Sequence, residues 1–338
     1  MISCHNRLQP RLGTFDHLSI SEIMAKKNLL IIHQGALGDF ILIFPAIIRL
    51  KKYYEVIDVL CQSGIGKLAK ALRLVDKWYP LEAAYVASLF TNRIDSKIKT
   101  LLSPYANIIL FTLSDQLERT IRRMTAVPTC RIPPRPPGYV RIHLTEFVLE
   151  NLLNCRLIKK ADAGVEDFPR PVRRSQSGYS ARILLHPGAG SIRKRWPIKN
   201  FLEVEALLKA AGLDPHFILG PAEEDLVESL PRTSRTVHTL TELTELAALL
   251  NSAGGYIGND SGPSHLAAFL GVPSAVIFGP ADPQRWKPVG PAVEIVRPEL
   301  ACRPCFETEI TNCDSSECLH ESSPEKVLKA FYRVYSIL

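Results

Sequence analysis

Apolar positions along the chain fall into short continuous runs separated by amphipathic stretches, and the runs come in two series. In the first half, residues 29–32, 55–61 and 107–112 read as strands, because each is an apolar run of strand length. Ile41, Ile43, Phe44, Ile47 and Ile48 predict one buried helix over 40–51, and further helices follow at 68–74 and 142–153, the last with His143 and Glu146 near its start. Residues 128–137, rich in Pro and Arg, predict a loop. The second half restarts the alternation. Strands are expected at 181–186, 216–220, 255–257 and 275–278, helices at 200–211, 240–250 and 263–270, and a closing helix at 323–338.

Strand alternating with helix in both halves predicts an α/β fold of two doubly wound domains facing a central cleft. The stretch 168–178 reads as the linker, which sets domains of 24–175 and 176–322 and leaves 323–338 as a terminal helix. Residues 1–23 have no apolar core of the signal-peptide kind, and Met24-Ala-Lys-Lys reads as a start, so they are set aside as a disordered or mis-assigned extension.

A length of 338 residues suffices for two domains with cores of their own. The apolar runs are of strand length, far short of the roughly 20 residues that a membrane span needs. Charge is unevenly divided. Residues 1–175 hold 26 Lys and Arg against 15 Asp and Glu, a net +11, and residues 176–338 hold 15 against 19, a net −4. A basic half suits either a solvated surface or an anionic partner, and with no nucleic-acid signature the candidate partners are a membrane surface or a phosphorylated acceptor.

Cys4, Cys61, Cys130 and Cys155 are scattered and read as buried small hydrophobes or as surface thiols in a reducing compartment. Cys302, Cys305, Cys313 and Cys318 cluster within 17 residues, a spacing that could hold zinc but equally suits packing or a local disulfide.

The densest chemistry lies in residues 255–280, GYIGNDSGPSHLAAFLGVPSAVIFGP. Residues 258–262 read as a polar loop outside the core, Pro263 suits the first turn of a helix, and Gly271 ends it. Asp260 or Ser261 would cap that helix, whose free N–H groups and dipole suit a phosphate, with His265 one turn further on. No GxGxxG follows the first strand, and neither a Walker A sequence nor a DxD pair is present. Phosphate charge must then be met by Lys, Arg and backbone N–H groups.

Five segments together resemble the GT-B glycosyltransferases of family 9, which include the lipopolysaccharide heptosyltransferases. They are Gly35-Ala-Leu-Gly-Asp39, His186-Pro-Gly-Ala-Gly with Lys194-Arg-Trp-Pro197, Gly220-Pro-Ala-Glu-Glu224, Gly258-Asn-Asp-Ser-Gly-Pro-Ser-His265, and Phe278-Gly-Pro280 with Arg285-Trp286. The resemblance implies a metal-independent, inverting transfer of heptose from ADP-heptose to the lipopolysaccharide inner core, with no cofactor. It implies Asp39 as general base and Lys194 on the diphosphate, a role that Arg193 and Arg195 could share. Ser191, Asp260, Ser261, Gly262 and His265 would line diphosphate and sugar, and Glu223 or Glu224 the nucleoside. The lipid-linked acceptor would meet the basic half, through Gly38, Arg131 and Arg135. A cytoplasmic enzyme held peripherally at the inner membrane leaflet is implied, with no nucleic-acid partner. Alternatives are a relative using another nucleotide sugar or glycan acceptor, and a nucleotide-binding protein without turnover.

Overall fold

The structure is a computed structural model that describes residues 28–91, 95–162, 180–230, 236–299, 304–306 and 317–335. The extension 1–23 and the linker near 175 lie outside these residues. Two parallel sheets carry the fold. The first contains β1 (Asn28–His33), β2 (Val56–Cys61), β3 (Lys77–Pro80), β4 (Asn107–Phe111) and β5 (Thr129–Ile132), in the order β3-β2-β1-β4-β5. The second contains β6 (Arg182–His186), β7 (Asp214–Leu219), β8 (Thr236–Thr239), β9 (Gly255–Asn259), β10 (Ser274–Ile277) and β11 (Val293–Val296), in the order β11-β10-β9-β6-β7-β8.

The two orders are one winding used twice. In each sheet the chain starts in the middle, builds outward on one side and then returns to build on the other. The reversals fall between β1 and β4, where Ile31 faces Ile109, and between β6 and β9, where Leu185 faces Ile257. In such sheets the crevice beyond the carboxyl ends of the strands at the reversal is where a ligand can lie. Continuous apolar runs form the inner strands because helices cover both faces, and Leu29 to Ile32 are at most 1% exposed.

Local chemistry explains where the elements depart from the sequence pattern. The helix expected over 40–51 is two, Leu37–Ile41 and Phe44–Leu50. Pro45 has no N–H for the Ile41 carbonyl, and its ring would collide with that carbonyl. Residues 128–137 are not all loop, since Thr129–Ile132 pairs in parallel with Ile108–Phe111 before Pro133 and Pro134 end the strand. Cys130 and Cys155 are not free thiols: they are joined by a disulfide that ties β5 to the end of the helix Leu144–Asn154. Cys61 is a buried free thiol whose pKa is pushed up to about 12 by burial and by Glu82. Among the described residues no helix is long and apolar enough to cross a membrane.

The halves meet directly. The helix Leu37–Ile41 packs against the helix Gly262–Phe269, so closely that a Cβ on Gly262 would lie 2.8 Å from Leu37 Cδ2. Arg285 Nη2 donates to the carbonyl of Pro136 at 2.7 Å. His143 caps the helix Leu144–Asn154, its Nδ1 accepting from the Thr145 N–H at 3.3 Å. The proton therefore sits on Nε2, which donates to the carbonyl of Lys287 at 2.9 Å.

Burial holds the His143 pKa down, from 6.5 to about 4. Between those values the unfolded chain binds the proton that the folded chain refuses, so stability is lost as pH falls through this window. Replacing His143 by Asn should flatten the pH dependence of the unfolding free energy, measured by urea denaturation between pH 7 and pH 4.5, by about 2–3 kcal/mol. His33, buried and lowered to about 3, adds a slope of the same sign, so the comparison of the two proteins is what isolates His143.

Candidate functional site

Three loops converge at the carboxyl ends of the central strands: 34–39 after β1, 187–196 after β6 and 259–265 after β9. Residues 258–262, expected as an exposed loop, are mostly buried. Asn259 is 0% exposed, Asp260 5% and Ser261 8%. Asn259 explains how so polar a stretch enters the interior. Its Oδ1 accepts from the Trp196 N–H at 3.0 Å, and its Nδ2 donates to the carbonyls of Pro187 at 2.8 Å and Gly188 at 3.2 Å. One amide thereby fixes both ends of the 187–196 loop to the end of β9. Trp196 is held from its other side, where the indole Nε1–H donates to the Ser322 carbonyl at 2.9 Å.

The helix Gly262–Phe269 has Ser261 at its N-cap position, but neither Ser261 nor Asp260 caps it with a side chain. Ser261 Oγ instead faces His186 Nδ1 and Ser264 Oγ, each at 3.3 Å, and Ser264 is tied to Tyr256 Oη at 2.9 Å. Capping is thus given up, and the first-turn N–H groups of this helix have no side-chain acceptor of that kind. Asp260 faces Lys194, with Nζ 2.7 Å from Oδ2, and His265, with Nε2 3.9 Å from Oδ1. Burial pushes the Asp260 carboxyl up, but His265 and Lys194 outweigh it and hold it below the ordinary range. His265 Nδ1 is buried and has no hydrogen-bond partner among the described residues.

The three cations of the 193–195 run are sorted by their partners. Arg195 bonds to Asp225 at 2.6 Å and to the carbonyl of Ala222 at 2.7 Å, whereas Arg193 reaches Cys305 Sγ at 3.5 Å. Lys194 pairs with the β9 loop, through Asp260. Ser191, just before the turn Ile192–Lys194, is half-buried and makes no side-chain cap.

Glu223 and Glu224, equivalent in the sequence, differ in the structure. Glu224 is exposed, while Glu223 is buried against the 186–188 loop. Glu223 Oε2 accepts from the Gly220 N–H at 2.7 Å and lies 3.8 Å from His186 Nε2. A Cβ on Gly188 would stand 2.2 Å from Glu223 Oε1, so the carboxylate occupies space that only glycine leaves there. Burial alone would raise the Glu223 pKa; His186, the Gly220 N–H and Arg195 bring it below the usual value.

From the first half, Asp39 sits in the first turn of the helix Leu37–Ile41. Its pKa is raised, because burial outweighs a backbone hydrogen bond from Ala36 and the opposing influence of His265, Arg135 and Lys194. Those last groups place Asp39 within electrostatic reach of both other loops. Gly38 is the close-approach point, since a Cβ there would lie 3.2 Å from His265 Cδ2. Arg135 is exposed beside this cluster, whereas Arg131 is engaged by Asp115, by Glu118 at 3.1 Å and by the carbonyls of Thr112 and Leu113. Of the four clustered cysteines, Cys302 and Cys313 lie outside the described residues, and among those described no three His, Cys, Asp or Glu side chains are placed to hold a metal ion. Sequence reasoning did not single out Asn259, although it stands beside Asp260 in the motif.

A site with a raised carboxyl on one wall and, on the other, a Lys-paired carboxylate beside a helix start that no side chain caps can accept a proton and stabilise a departing anion. Comparison with known proteins gives the same direction. Residues 152–314 match the model of glycosyltransferase family 9 (heptosyltransferase). Lipopolysaccharide heptosyltransferase 3 of Escherichia coli strain K12 is 30% identical over 133 residues, which span 36% of this chain and only 39% of that relative. A second Escherichia coli protein of the same name is 25% identical over 284 residues, 74% of this chain and 83% of its own length. Among solved structures, the family 9 glycosyl transferase from Veillonella parvula DSM 2008 superposes with a TM-score of 0.73 at 19% identity, over 92% of this chain and 98% of that one. The Escherichia coli ADP-heptose lipopolysaccharide heptosyltransferase II gives 0.70 at 17% identity, over 92% and 99%. At these identities the structural likeness speaks for the fold, which is GT-B.

Replacing Asn259 by Ala strands one N–H and two carbonyls in the interior. Urea denaturation should show a loss of about 2–4 kcal/mol, beyond what a surface substitution produces.

Proposed function

We propose that the chain is a glycosyltransferase of family 9 that transfers a heptose from ADP-heptose to the inner core of a lipopolysaccharide, with inversion at the anomeric carbon. The observation that carries the reading is the juxtaposition of Asp39 with the Lys194–Asp260–His265 group across the cleft. The raised Asp39 carboxyl fits a general base whose proton affinity lies nearer to neutral pH than that of an ordinary carboxylate.

In this reading the acceptor hydroxyl attacks the anomeric carbon as Asp39 takes its proton. The bond from that carbon to the β-phosphate oxygen breaks, and its electron pair leaves with ADP. Lys194 and the N–H groups at the start of the Gly262–Phe269 helix meet the growing charge on the diphosphate, the kind of preorganised stabilisation that supplies much of catalysis. Ser191, Ser261 and Gly262 line its path, while Asp260 and His265 face the sugar. The buried Glu223, rather than the exposed Glu224, is assigned to the nucleoside. Gly38 and Arg135 border the acceptor. Arg131 supports the loop that carries Arg135, through its bonds to Asp115 and Glu118. Charge handled by Lys194 and backbone N–H groups leaves this reading without a metal or cofactor. The excess of cations in the first half suits an anionic, lipid-linked acceptor at the cytoplasmic face of a membrane. The domain limits 24–175 and 176–322 are retained as the two halves of this cleft.

The test is mass spectrometry of a heptose-deficient lipopolysaccharide core incubated with ADP-heptose and either the parent protein or Asp39→Asn. A heptose added by the parent alone supports the reading. ADP binding without addition moves the donor sugar or acceptor elsewhere within the family, and indifference to Asp39→Asn in any transfer removes Asp39 as the base.

Asp39→Asn should lower turnover by about 10²- to 10⁴-fold and leave ADP affinity unchanged. For the parent, kcat/KM should fall on the acid side at a pH above the ordinary carboxylate range. A raised folded-state pKa also means that ionised Asp39 costs stability as pH rises through it, so the thermal midpoint of Asp39→Asn at neutral pH should match or exceed the parent's. In calorimetry with ADP, Glu223→Gln should weaken binding, whereas Glu224→Gln should not.

A further inference from the structure

We propose that Phe306, carried by the cysteine-bearing segment near the end of the chain, is a positioning residue that holds the Lys194 ammonium at the place where a nucleoside diphosphate binds and departs. The inference rests on the proposed role of Lys194 and extends it to a residue outside all three site loops.

Lys194 begins on a short turn, Ile192–Lys194, and its long side chain has four rotatable bonds to fix. Its head is 2.7 Å from Asp260 Oδ2. Nζ also stands over the Phe306 ring, 4.2 Å from its centroid and well within cation–π range. The side chain is 19% exposed, so the contact is largely shielded from water, where such attractions are stronger than at an open surface. A carboxylate alone would let the ammonium follow either oxygen. A ring face restricts it further without adding a second negative charge, which would repel a diphosphate.

The ring is itself anchored. The N–H groups of Cys305 and Phe306 both donate to the carbonyl of Pro280, at 2.9 and 3.0 Å, just beyond the end of β10. The ring packs beside the buried cluster of Val276, Phe278 and Ala281, and Arg193 lies 5.9 Å from its centroid. The segment therefore projects from the same end of the sheet as the β9 loop. This gives the Pro304–Phe306 stretch a task that needs no metal at the neighbouring cysteines.

The experiment measures ADP affinity by calorimetry and kcat and KM for the sugar donor in Phe306→Leu, Phe306→Tyr, Lys194→Gln and the double variant Phe306→Leu/Lys194→Gln. Leu keeps apolar bulk and removes the π face; Tyr keeps the face. Phe306→Leu should weaken ADP binding and lower kcat/KM by about three- to tenfold, with acceptor KM unchanged and with Tyr restoring the parent values. Adding it to Lys194→Gln should cost nothing further, because the cation it positions is gone. Equal losses from Phe306→Leu with and without Lys194 would overturn the proposal and leave Phe306 a packing residue, as would loss in Phe306→Tyr equal to that in Phe306→Leu. Undiminished ADP affinity in Lys194→Gln would overturn the diphosphate role of Lys194, and with it the reading on which this proposal stands. A weakened Lys194→Gln beside an unaffected Phe306→Leu would overturn the Phe306 role alone.

Discussion

The cleft depends on the side-chain amide of Asn259. A buried backbone N–H or carbonyl without a partner is costly, and the loop that carries Lys194 brings three such groups against the end of β9. One amide answers all three, with its oxygen on Trp196 and its nitrogen on Pro187 and Gly188. Once those bonds are made, Lys194 stands two residues from a fixed point, His186 can reach Ser261, and Gly188 presents the face on which Glu223 rests. Asparagine suits this place because it alone among small side chains offers both a carbonyl and a two-proton donor in one plane.

Two carboxyl groups share the crevice and are driven in opposite directions. Asp39 is raised by burial that its neighbours only partly offset, while Asp260 is still more enclosed yet lowered by Lys194 and His265. Divergence of this kind separates a group suited to taking a proton from one that remains a fixed negative charge. It arises from the division into two halves. Lys194 and His265, which face Asp260, come from its own half, and Asp39 meets them only across the interface.

The inner strands were legible because burial on both faces leaves a continuous apolar run. The four strands not foreseen, β3, β5, β8 and β11, are the four edges of the two sheets. Each has four residues and one open side, so neither composition nor alternation marks it, and β5 lay hidden before a run of prolines. Motif residues of the site were likewise readable as a set, but not their division of labour. Nothing in the string Arg193-Lys194-Arg195 says which cation turns to the cleft, nor does Glu223-Glu224 say which is buried, because both depend on a partner loop distant in sequence. The same holds for Asn259, read as part of an exposed loop, and for Cys130 and Cys155, whose proximity is created by the helix between them.

That disulfide bears on how an acceptor would be received. Its two ends, at β5 and after the last turn of the helix Leu144–Asn154, enclose the segment with Arg135 and the His143 contact to the other half. A loop fastened at both ends explores fewer arrangements than one fastened at a single end, in the unfolded chain and in local openings alike. The border of the cleft is in this sense partly ordered before anything arrives, and less freedom remains to be surrendered on binding.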